Sequence, residues 1–121
     1  MNLAATPLYT ITDLGALGGN VTIANSINDS GQITGQSYNA DFCPRAFLSA
    51  NGTLTDLGVA SGALESHGLS ISENGKIAGW VYSGGSSQAV VWEAGIWINV
   101  AGGNSSAAYG ISPNGQYAGG Y

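Results

Sequence analysis

His67 is the only side chain here that would ordinarily titrate between pH 5 and 8, so acid–base chemistry is sought there first. It is the single histidine, with no Cys close by, so no metal-ligand spacing forms around it and no metal is expected. Seven carboxylates are scattered along the chain: Asp13, Asp29, Asp41, Asp56, Glu65, Glu73 and Glu93. Glycoside cleavage needs two of them facing one another across a sugar bond, and spacing alone places no such pair together. Cys43 has no partner for an internal disulfide and reads as a small, half-buried apolar residue. An exposed thiol joining two chains is the alternative. No catalytic residue and no cofactor is expected.

Binding chemistry is better represented. Aromatic rings can stack on sugars, but they also fill wedges between sheets. Trp92 and Trp97 read as core, whereas Trp80 and Tyr109 read as contact residues. Asn20, Asn104 and His67 join them as candidate binding residues, beside the links 16–20, 59–66 and 102–106. Asp13, Asp56 and Asn99 end equivalent segments, where they could hold calcium or a sugar hydroxyl. The plainer reading is a local bond to the backbone. Asn20, Asn28, Asn51 and Asn104 match the N-glycosylation pattern, as chance allows in a chain so rich in Asn, Ser and Thr. Gly18-Gly19 and Gly102-Gly103 are no phosphate loops, because neither Lys-Ser/Thr nor a helix follows.

The elements that must position these residues come as repeats. Ser26-Ile27-Asn28-Asp29-Ser30-Gly31-Gln32-Ile33-Thr34-Gly35 returns as Ser70 to Gly79 and again as Gly110 to Gly119. Each copy has an Ile before a polar turn and a Gly that closes it. Asn28, Ser72 and Ser112 open the turns, where a short polar side chain reaches backbone N–H groups further on. Gly31, Gly75 and Gly115, preceded in the later copies by Asn74 and Asn114, suit the positive φ of a type I turn with a G1 bulge. Leu14, Leu57 and Val100 recur 43 residues apart, each ending a segment of alternating apolar and polar residues.

Strands are expected at 9–14, 21–27, 32–38, 45–49, 53–57, 67–71, 76–82, 88–92, 96–101, 106–111 and 116–121, with Asn51-Gly52 and Ala94-Gly95 as tight turns. Residues 1–8 form a lead-in, and 9–121 a single repeat domain: repeat 1 at 9–52, repeat 2 at 53–95, partial repeat 3 at 96–121. The fold class is all-β, in tandem four-stranded antiparallel units of about 43 residues that resemble β-propeller blades, a β-solenoid being the alternative. Eleven strands cannot close a ring of blades, so the chain is expected to belong to a longer one or to self-associate through unpaired edges.

Composition narrows the partners. Charged residues make up 7% of the 121, the net charge is −5, and Arg45 and Lys76 are the only cations, so nucleic acid is excluded. No apolar run reaches the ~20 residues of a membrane helix. Residues 1–7 show no signal-peptide pattern.

The run Tyr9 to Asn20, with Ile27 to Gly35 and Arg45-Ala46-Phe47-Leu48, resembles the HAF-type extracellular repeats of bacteria. That family is named for His-Ala-Phe, which stands here as Arg45-Ala46-Phe47 and, more weakly, Gln88-Ala89-Val90. The resemblance covers nearly all of the chain from Tyr9. It implies secretion or surface display and a repeat architecture, and it carries over no catalytic residue. Replacement of the motif's His makes that position structural. The expected function is therefore a non-enzymatic, extracellular or cell-surface module for recognition or adhesion, binding a glycan or a surface protein. The alternative is a self-assembling subunit of a fibre or surface layer.

Overall fold

The computed structural model describes residues 8–100, 105–116 and 118–120. They form ten strands and no helix, so no helix among the described residues is long and apolar enough to cross a membrane. β1 (Gly18–Ile27), β2 (Ile33–Asn39), β3 (Pro44–Ala50) and β4 (Thr53–Asp56) make one antiparallel sheet in chain order, unit 1. β5 (Glu65–Ile71), β6 (Ile77–Tyr82), β7 (Ser87–Glu93) and β8 (Ile96–Asn99) make unit 2 the same way. β9 (Ala108–Ile111) and β10 (Ala118–Gly120) pair as unit 3. None of the sheets closes into a barrel.

The turns follow from their residues. Gly31 N–H donates to Asn28 O at 3.0 Å, Asn28 N–H to Gln32 O at 3.0 Å, and Gly31 has φ 78°, the expected type I turn with its G1 bulge. The turns closed by Gly75 and Gly115 repeat the short bond back to Ser72 and Ser112. Asn28 Oδ1 accepts from Ser30 N–H and Gln32 N–H, which holds the turn from inside. The two-residue loops Asn51-Gly52 and Ala94-Gly95 have positive φ at both positions, as a type I′ turn requires.

The glycine that ends the ten-residue pattern has a steric cause. Opposite Gly35 and Gly79 the partner strand bulges, which presses the carbonyls of Ile23 and His67 against the glycine backbone, and a Cβ would overlap those oxygens. In the third unit Gly120 takes this place, facing Ala107 O, so the register runs one residue beyond the expected Gly119.

A second correction concerns residues 9–14. They form no strand, although their sequence matches that of β4. β4 pairs with β3 and β8 with β7, whereas no described strand lies beside 9–14 to complete a ladder. The link expected at 16–20 is itself partly strand, since β1 starts at Gly18. Trp92 and Trp97, expected in the core, are half-buried partners across β7 and β8.

Each unit stacks on the next. β5 packs over β1, β2 and β3, and β9 over β5 and β6. The first interface buries Ile77, Val81 and Ile71; the second buries Ala78, Ala89, Val91 and Ala108, with Ile111 against them. Polar bonds fix the register. Ser26 Oγ accepts from Ile71 N–H and Ser70 Oγ from Ile111 N–H, each at 3.2 Å. Asn28 Nδ2 donates to Ser72 O at 2.9 Å, and Glu73 accepts from Asp29 N–H through both oxygens at 3.0 and 3.1 Å.

This stacking gives the Arg-Ala-Phe motif a structural meaning. Ala46 N–H donates to Ser66 Oγ of unit 2 at 2.8 Å, and Ala46 O accepts from Leu57 N–H. Ala89 repeats the arrangement with Ser106 Oγ, at 2.9 Å, and Val100 N–H. Both alanines are buried, so the small side chain marks the point where one unit is fastened to the next.

Candidate functional site

His67 and Trp80 face one another across the β5–β6 ladder. Their rings lie parallel, with centroids 3.9 Å apart and planes 8° apart. Stacking of this kind contributes on the order of 0.5–1.5 kcal/mol beyond burial. His67 is 9% exposed, and Trp80 is half-buried. Glu65, two residues back on β5, emerges on the same face because strand side chains alternate. Its Oε2 lies 3.2 Å from His67 Nε2.

Burial lowers the pKa of His67 from 6.5, outweighing the hydrogen bond and charge of Glu65, which raise it. The ring is therefore neutral at pH 7. A neutral imidazole that bonds a carboxylate through Nε2 carries its proton there and leaves Nδ1 as an acceptor. The cluster is one imidazole, one indole and one carboxylate, with no second carboxylate bonded to it. Among the described residues no group of three or more His, Cys, Asp or Glu could hold a metal ion. What the geometry offers is an aromatic wall with one fixed hydrogen-bonding edge.

The loop between β4 and β5 borders the cluster. Leu64 N–H donates to Tyr82 O at 2.6 Å, and Arg45 Nη1 donates to Leu64 O at 2.6 Å. Ser66, on the opposite face of β5 from His67, is held by Gly58 O at 2.5 Å and Ala46 N–H. The strand is thus anchored on one side of the residue that presents the imidazole.

Of the five expected binding residues, only His67 and Trp80 come together. Asn20 is exposed on β1 and Tyr109 is 53% exposed on β9, each on the first strand of a different sheet. Asn104 lies outside the described residues. Asp13 and Asp56 do what the plainer reading expected, accepting from Gly15 N–H at 2.9 Å and Gly58 N–H at 2.7 Å. Asn99 donates to Gln88 Oε1 at 3.2 Å. Cys43 is a free thiol, half-buried, in the loop between β2 and β3.

Sequence reasoning missed Glu65 as the partner of His67; its separation of two residues on a strand was the available signal. It also missed the hydroxyls Thr22, Ser66 and Ser106, which recur at one place in each unit. A cleft of about 360 Å³ lined by Val91, Ile98, Val100, Ile111 and Ala118 lies between units 2 and 3, and another of about 390 Å³, lined by Ser30, Gln32, Asn51, Glu73 and Asn74, at the hairpin tips. Comparison of the chain with protein-family models, with curated protein sequences and with solved structures finds no match.

Proposed function

We propose that this chain is a non-catalytic repeat module, secreted or displayed at a cell surface, which recognises an uncharged ligand, a carbohydrate before a protein. Its stacked sheets are read as blades of a β-propeller-like arrangement rather than coils of a solenoid. The observation that carries the reading is the His67–Trp80 stack with Glu65 bonded to the imidazole, beside the loop that enters unit 2. An indole face with a neighbouring acceptor and carboxylate suits a sugar, whose ring has one apolar face and a rim of hydroxyls. Low charge, two cations and a net −5 argue in the same direction, since anionic ligands would find little to hold them. The resemblance to HAF-type repeats supports the extracellular setting.

Titration with glycans selected from an array, followed by tryptophan emission, tests the reading. Binding that quenches or shifts the emission and is lost in Trp80→Ala supports it. An array without hits at millimolar sensitivity, with retention of a surface protein instead, moves recognition to the protein class. Absence of both overturns it.

A further inference from the structure

Equivalent residues in units 1 and 2 have opposite fates. Ile71 and Ile77 of unit 2 are 6% and 0% exposed, because unit 1 covers that face of the sheet. Gly68 sits so close to it that a Cβ there would meet Thr34 Oγ1. Their counterparts Ala24, Ile27 and Ile33 line an open groove of about 320 Å³ with Asn25 and Ser26, and Ile27 is 64% exposed. Among the described residues, the segment before β1 covers the other end of this face. Leu17 N–H donates to Ser37 Oγ at 3.0 Å, and Thr22 Oγ1 donates to Gly15 O at 2.7 Å. The polar fittings recur as well. Glu73 receives Asp29 N–H across the first interface, whereas the side-chain carboxylate of Asp29, its counterpart, receives no amide N–H among the described residues.

We infer that the Ala24–Ile27–Ile33 groove is a docking face for a second copy of this chain, entered head to tail by that copy's unit 3. The argument is continuity. The groove has the residues of a face that, one unit further along, is already closed by a sister unit. An isoleucine pair, a bulge and an acidic tip in the same register need the same cover. The cover itself is legible: Ser26 and Ser70 each give a hydroxyl to the Ile N–H of the next unit, and unit 3 has Gly110 at that place. Gly110 has open space where a Cβ would go. A contact of this kind uses different surfaces on the two copies, so it either extends or closes into a ring. The contact inferred here is face to face, a different mode from the edge-to-edge pairing expected from the sequence. The inference rests on how units stack and not on a ligand, so a failed glycan screen leaves it standing, and a monomeric chain leaves the ligand reading standing.

Sedimentation velocity of the intact chain from micromolar to millimolar concentration tests it. Species beyond a dimer that grow with concentration, or a closed ring, are expected. Ile27→Lys should weaken association roughly tenfold or more, the equivalent of about 1.4 kcal/mol. Its circular dichroism should stay unchanged, because the side chain is already in water. Gly110→Ser, which supplies the missing hydroxyl, should strengthen association about two- to tenfold, the worth of one hydrogen bond. Ile96→Lys, on an equally exposed residue of β8, should leave association unaltered. A monomer at every concentration, or association lost with Ile96→Lys but not with Ile27→Lys, overturns the inference. Should Ile27→Lys fail to fold, no gain with Gly110→Ser overturns it instead.

Discussion

Units 1 and 2 are built from nearly the same residues in the same order, yet Ile27 lies 64% in water and Ile71 6%. Chain-local chemistry cannot account for that. Both isoleucines precede a four-residue turn and pair with an isoleucine across it. What differs is the neighbour. A four-stranded sheet hides an apolar residue only when a second sheet lies over it, so burial here belongs to the interface between units. Unit 2, with a neighbour on each face, holds most of the core; in unit 1 the Ala24–Ile27–Ile33 end of one face is open, while Phe47 of the same sheet is fully buried.

The comparison is sharpened by cutting the same atoms from both units. Ile77→Ala removes a fully buried side chain from the first interface and should lower stability by about 2–5 kcal/mol. Ile27→Ala should cost roughly 0.5 kcal/mol or less at concentrations where the chain is monomeric. Urea unfolding of the two variants checks this. Equal losses would break the comparison, since they would mean that both faces are equally covered.

A smaller contrast lies in the hydroxyls. Ser66→Ala leaves the buried Ala46 N–H without its acceptor and should cost about 1–3 kcal/mol. Thr22→Ala, the same change in unit 1, removes exposed or half-buried bonds and should cost less than half as much. The midpoints of urea unfolding again provide the measurement.

The smallest effect is confined to unit 2, because Ile23 stands where unit 2 has His67. Below pH 6.5 the unfolded chain takes up a proton that the folded His67 declines, its pKa being lowered by burial. Stability should therefore fall as the pH drops from 6.5 towards the lowered folded value, and level off below it. His67→Ile makes unit 2 like unit 1 and should remove that part of the slope. Unfolding midpoints between pH 7.5 and 5, compared between the chain and this variant, decide it; identical slopes would show that His67 does not resist protonation.

Much of the fold was legible because its signals are local. Turn residues set the hairpins: Gly31, Gly75 and Gly115 take positive φ, and Asn51-Gly52 makes its two-residue loop. The strands around them followed from alternation. Residues 9–14 differ from the expectation for the reason that separates units 1 and 2: a strand is a relation between two segments, and Thr10-Ile11-Thr12-Asp13 has no partner strand among the described residues where Thr53-Leu54-Thr55-Asp56 has β3. The site was legible residue by residue but not as an arrangement. His67 and Trp80 each stood out, but their stacking depends on register, set by a bulge between Gly68 and Ser70 that composition does not announce.

The fastening of Ala46 to Ser66 and of Ala89 to Ser106 also bears on how such a chain can change its length. Oily surfaces pressed together have no preferred offset and would slide. Hydroxyls that each meet one amide act as teeth, and a shift of a residue or two disengages several at once. Length changes are then absorbed in the links, as the uneven spacing of the pattern from Ser26 to Ser70 and from Ser70 to Gly110 shows, whereas within a strand only duplication of an entire sheet preserves the meshing.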